Sequence, residues 1–261
     1  MSDEQGLDVN EQSSITRLPQ QGAQVHLEYT MYAHFHRLQK LIGHAWQLRF
    51  YLDQEAGINR AVNVAFGDRI LMGDCHALFI KINKELTVDE RRALVKLTNK
   101  RAERMIKDGS AVDERHAHEN MVRESLKSPI RFKGRSEEWF SVPIHRINEC
   151  DKHTAFISNE TLLSEHDKIN IMLDASLHPI DTFFMSLRRR LSALERPIHS
   201  QSNVGRVWTG YSPYNPAVIE KQVQIMRLYY NYCLPGKKDG KTPAERIGLA
   251  KGPVEIRKIL Y

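Results

Sequence analysis

Cysteine is scarce in this chain: Cys75, Cys150 and Cys233 are the only three in 261 residues, far apart and never in a C-x-x-C pair. That excludes a disulfide scaffold and a zinc ribbon, and it fits a reducing compartment. No run of about 18 apolar residues occurs, so a membrane-spanning helix is excluded. The N-terminus has no basic stretch leading into an apolar run, and no secretory signal peptide is expected. Also missing are a Walker loop, a dinucleotide fingerprint, an H-E-x-x-H helix and a nucleophile elbow. The enzyme classes that depend on those motifs are set aside.

What is present is an ordinary globular balance, 41% hydrophobic and 27% charged, in a length that suits one large domain or a domain with an insertion. The net charge of +6 is unevenly placed. Residues 171–261 hold 14 Lys and Arg against 7 Asp and Glu, a local +7, so residues 1–170 sum to −1. A basic C-terminal third suits a polyanionic partner such as nucleic acid, although many basic faces are merely solvated.

Residues 1–24 are polar and without apolar period, and read as a disordered leader. Helix spacing begins near His26 and runs to Ile42. LRFYL at 48–52 reads as a buried strand ending at Asp53. Residues 58–72 return to helix spacing, and HALFIKI at 76–82 is a second apolar strand. Strand, helix and strand at these distances predict a parallel βαβ unit, hence an α/β fold. Thr87 and Glu90 form a capping box opening a long charged helix, with polar helical sequence following through Ser125. Phe132, Trp139, Phe140, Val142, Ile144 and Ile147 suggest short extended segments. The range 84–170 is therefore expected to be a mainly helical insertion between a first core part, 25–83, and a C-terminal helical part, 171–261. That last part holds helices predicted at 179–194 and from Pro216, and a second capping box at Thr242 and Glu245.

Asp53 stands where α/β sheets place functional groups, at the C-terminal end of a buried strand. A turn or helix-cap Asp is the plainer account. Asp181 falls in the first turn of the 179–194 helix, where a negative charge is also structurally favoured. Arg188, Arg189 and Arg190 follow on that helix, and the planar guanidinium fork suits phosphate. His34 with His36 and His116 with His118 are two residues apart, so on helices they point to different faces and make poor metal pairs. Trp208, Tyr211, Tyr214 and Tyr229–Tyr232 either pack locally or stack on bases; the sequence leaves both open.

Three blocks together resemble bacterial insertion-sequence transposases of the DDE class. These are the ending YYNY…GKKDGKTPAERIG at 229–248, LRFYLDQEAG at 48–57, and HPIDTFFMSLRRRLSALERP at 178–197. The resemblance implies an RNase H-like core, with helices packed on a mixed sheet and a carboxylate cluster holding two Mg²⁺ ions. The implied reaction is DNA cleavage and strand transfer. Asp53 would be the second metal-ligating carboxylate and Asp181 the third, with Glu220 as the alternative. Arg188, Arg189, Arg190, Arg196, Lys237 and Lys238 would contact DNA.

The strand that carries the first Asp in such proteins has no counterpart here, since Asp3 and Asp8 lie in polar sequence without strand character. The resemblance therefore implies an N-terminally truncated copy, with exposed sheet edges at 48–52 and 76–82 and marginal stability. It is expected in the bacterial cytoplasm, associated with the nucleoid. The other expectation is a non-catalytic DNA-binding or oligomerising fragment, acting as a homodimer or with full-length transposase.

Overall fold

The structure, a computed structural model, describes residues 23–134, 136–194, 198–199, 206–207 and 216–260. The chain divides into two compact units, one ending at Leu177 and the other beginning at His178.

In the first unit, α1 (Ala23–Ile42) leads through a short loop into β1 (Leu48–Asp53), α2 (Ala56–Met72) and β2 (Cys75–Ile82). β1 and β2 pair in parallel, with Leu48 opposite Cys75 and Asp53 opposite Ile80, as the two apolar runs predict. Gly73 closes α2 in the left-handed conformation at φ 82°, and Asp74 N–H then donates to the Arg69 carbonyl at 2.9 Å. A side chain there would be strained, which is why a glycine stops this helix. The Arg69 guanidinium ties down the loop before β1, donating to the carbonyls of Ala45 at 2.7 Å and Trp46 at 2.9 Å.

Next come α3 (Val88–Lys107), α4 (Glu114–Leu126), β3 (Trp139–Val142), β4 (Lys152–Phe156) and α5 (Glu165–Asp174). The capping box at α3 is formed as expected, with Thr87 N–H donating to Glu90 Oε2 at 2.7 Å. β4 pairs antiparallel with β2 and with β3, giving a four-stranded mixed sheet in the order β1-β2-β4-β3. Half of that sheet therefore comes from 84–170, the range read as an insertion. The two strands there are only four and five residues long, and pairing with a distant strand is what makes them strands. The same pairing alters the expected edges. β2 lies inside the sheet with six consecutive buried residues, and the outer strands of this sheet are β1 and β3.

Alternation along the strands fills two cores. Leu52, Ala77, Phe79, Trp139 and Ala155 meet Val62, Ala65, Phe66 and Ile70 of α2, with Phe35 and Leu38 of α1 beside them. On the opposite face Leu78, Phe140 and Val142 meet Val122 of α4 and Ile169, Ile171 and Met172 of α5. α3 and α4 join through Ala102, Ala117 and Met121. Helices thus cover both faces of the sheet.

The second unit holds α6 (His178–Arg190), the two-residue strands β5 (Ile198–His199) and β6 (Arg206–Val207), and α7 (Pro216–Leu228). A π-helical turn at Tyr229–Cys233 follows, and then α8 (Pro243–Arg246) and α9 (Arg257–Leu260). Phe183 of α6 packs edge-on against Tyr230 at 4.9 Å between ring centres. α8 opens with the expected capping box, in which Thr242 N–H donates to Glu245 Oε2 at 2.7 Å. No helix among the described residues is long and apolar enough to cross a membrane.

Candidate functional site

β1 is buried at Leu48 and Leu52 and emerges at Asp53, whose side chain is exposed. Its Oδ1 accepts from the Gln54 N–H at 2.8 Å, and its carbonyl accepts from the Glu55 N–H at 2.8 Å. Those two bonds turn the chain into α2, so the plain structural role of this Asp is real. The carboxylate also borders a cleft of about 630 Å³ at the end of β1 and β2, together with Lys81, Lys84 and Asp151. Such a crevice beyond the carboxyl ends of parallel strands is where α/β sheets carry their chemistry.

Asp151 is the residue that sequence reasoning missed. It is the one non-glycine residue with positive φ among the described residues, at 49°. Asn83 holds it twice: its N–H donates to the Asp151 carbonyl at 3.3 Å, and its Nδ2 donates to Asp151 Oδ2 at 3.1 Å. The Asp151 N–H donates to His145 Nδ1 at 3.2 Å. That bond requires His145 Nδ1 to be unprotonated, consistent with burial pushing the pKa of this imidazole down against the opposing charge of Asp151. His153, whose Nδ1 lies 3.9 Å from Asp151 Oδ1, is likewise pushed down by burial. Lys81 sits over the Phe132 ring at 4.2 Å, and Phe132 meets His153 edge-on. Apart from the strained φ, nothing local marks this group; a separation of 68 residues lies between Asn83 and Asp151.

The remaining expected site residues fall in the second unit. Asp181 is exposed in the first turn of α6, and Arg188, Arg189 and Arg190 occupy its last turn. The Arg190 guanidinium lies 5.7 Å from the centre of the Tyr229 ring, a cation–π contact. Glu220 is exposed on α7, and Lys237 and Lys238 are exposed in the turn before α8. Arg196, Trp208, Tyr211 and Tyr214 lie outside the described residues. Of the expected acids, only Asp53 therefore belongs to the first unit and its sheet-end cleft.

Among the described residues no group of three or more His, Cys, Asp or Glu side chains is placed to hold a metal ion. The donors among the described residues do not by themselves fit a two-metal site. A smaller cavity of about 290 Å³ is lined by His118, Arg146, Lys152 and Asp174. Its buried cation already has partners, since Lys152 Nζ donates to the Ala175 carbonyl and lies 3.6 Å from Glu149 Oε2.

Comparison of the chain with protein-family models, with curated proteins and with solved structures gave no match. The functional reading therefore rests on residues and geometry.

Proposed function

We propose that this chain derives from a DDE-class transposase, with an RNase H-like core, and that it engages DNA. The reaction of that class is cleavage of a DNA strand and transfer of its 3′ end, and Asp53 is the carboxylate that the first unit would contribute. The observation carrying this reading is the position of Asp53: an exposed acid at the end of a buried parallel strand, on a cleft that Lys81 and Lys84 also line. The lining combines two lysines, Lys81 and Lys84, which can hold a phosphate, with three acids, Asp53, Glu85 and Asp151. The order of the three sequence blocks supports the same reading, as does the +7 charge of residues 171–261. A cytoplasmic, nucleoid-associated location goes with it.

A second reading is that the chain binds DNA or assembles with a second copy or a full-length transposase without cutting, which fits the uncompensated basic charge of residues 171–261 as well. One assay separates the two. Supercoiled plasmid is incubated with the full chain and Mg²⁺ or Mn²⁺, alongside Asp53→Ala, Asp181→Ala and Asp151→Ala. Nicking that needs metal and is lost in Asp53→Ala supports the enzyme. Equal background in wild type and variants sinks it and leaves the binding reading.

A further inference from the structure

The turn ahead of α8 is more highly built than a surface loop requires. Arg246 donates twice to Asp239, from Nε to Oδ2 at 3.0 Å and from Nη2 to Oδ1 at 2.8 Å. Two parallel bonds from a planar fork fix orientation as well as distance. Inside this clasp, the Gly240 N–H donates to the Gly236 carbonyl at 2.9 Å and the Gly236 N–H to the Lys241 carbonyl at 2.9 Å. The Lys241 N–H donates to Asp239 Oδ1 at 3.2 Å, and Gly240 takes the left-handed conformation at φ 66°. Behind the turn, Thr242 and Ala244 are buried and the capping box is closed. The bonds from Arg246 hold the Asp239 carboxyl far below the usual carboxylate range, so the clasp stays charged at any working pH.

An exposed ion pair of this kind adds little stability. What it does is fix the backbone that carries Lys237, Lys238 and Lys241. All three are exposed, and among the described residues none has an acidic partner within salt-bridge distance. Both acids of the segment are engaged, Asp239 by Arg246 and Glu245 by the Thr242 N–H. The result is a rigid turn presenting three uncompensated ammonium groups.

We infer that the 236–246 turn is a platform for the phosphate backbone of duplex DNA, with Lys237, Lys238 and Lys241 as the contacts and the Asp239–Arg246 clasp as the device that positions them. This rests on the DNA reading above and deepens it by adding Lys241 and the two clasp residues. Each lysine–phosphate contact releases a counterion, so the dependence of affinity on salt counts the contacts.

Two variants separate positioning from charge. Asp239→Asn removes a negative charge beside three lysines, so charge alone would tighten binding, whereas loss of positioning weakens it. Gly236→Ala leaves the charge unchanged, but a Cβ at that position would sit 2.2 Å from Arg246 Nη2 and force the flexible fork off Asp239. The experiment is fluorescence anisotropy of the full chain with a labelled duplex between about 50 and 200 mM NaCl. Far-ultraviolet circular dichroism confirms that each variant is folded.

The triple Lys→Gln variant at 237, 238 and 241 should flatten the salt slope by about 2 to 3 units, at roughly 0.9 per contact. Asp239→Asn and Gly236→Ala should each bind severalfold more weakly than wild type. Tighter binding by Asp239→Asn together with unchanged binding by Gly236→Ala overturns the positioning role. A wild-type slope in the triple variant overturns the platform. A wild-type chain that binds no duplex at any salt overturns the DNA reading itself.

Discussion

Lys152 offers the sharpest test of how the first unit is held together. It opens β4 with its side chain only 4% exposed, 3.6 Å from the equally buried Glu149. Burial pushes its pKa down, and Glu149 pulls it back up. The pair also fastens the segment after α5: Lys152 donates to the Ala175 carbonyl, while Glu149 Oε1 accepts from Ser176 Oγ at 2.9 Å and from the Leu177 N–H at 2.7 Å. Lys152→Met keeps the length of the stem but takes away the ammonium group 3.6 Å from the buried carboxylate. Removing one partner of such a pair costs about 3–5 kcal/mol, and the two surviving bonds to Oε1 place this case at the lower end, about 3 kcal/mol. At 2–4 °C per kcal/mol for a unit of this size, the melting temperature should fall by about 6–12 °C. Adding Glu149→Gln removes the buried negative charge and keeps an acceptor for Leu177, so the double variant should recover most of the loss. Urea unfolding at pH 7 measures both. A single variant within about 1 kcal/mol of wild type, or a double variant no better than the single, refutes the account.

Burial holds His76, His145 and His153 below the ordinary value of 6.5. As pH falls through that value the unfolded chain takes up protons that the folded chain resists, so stability should drop between about pH 7.5 and 5.5; a flat melting temperature over that range contradicts it. Thr87→Ala removes both the Oγ1 that accepts from the Glu90 N–H and the reciprocal hydroxyl bond to Glu90 Oε2. It should cost about 1 kcal/mol in urea unfolding, and no measurable loss would mean that the α3 cap is energetically idle. Leu78→Ala, at a fully buried position in the middle of the sheet, should cost about 3 kcal/mol, and a loss under 1 kcal/mol would place Leu78 outside the working core.

Legibility in the sequence followed the range of the interactions involved. LRFYL and HALFI announce strands because each is a short run rich in aromatic and branched apolar residues, and the helix period between them identifies the crossover. Both capping boxes were readable because donor and acceptor lie three residues apart. KHTAF at 152–156 was not readable, since its first residue is a lysine whose burial depends on Glu149 and on a carbonyl 23 residues away. Asp151 escaped for the same reason: its partners come from the end of β2 and from His145, and only the folded sheet brings them together.

The division of charge between the units bears on how the proposed function should be tested. Residues 178–261 carry 14 Lys and Arg against 6 Asp and Glu, a local +8, which leaves −2 for residues 1–177. Affinity for a polyanion should therefore be set mainly by the second unit, through the α6 arginines and the clasped turn, while under the proposed function phosphodiester chemistry would depend on Asp53 in the first. Binding and cleavage then report on different parts of the chain. Binding with a steep salt slope but without nicking would leave the DNA-binding reading, and metal-dependent nicking lost in Asp53→Ala would support the enzyme.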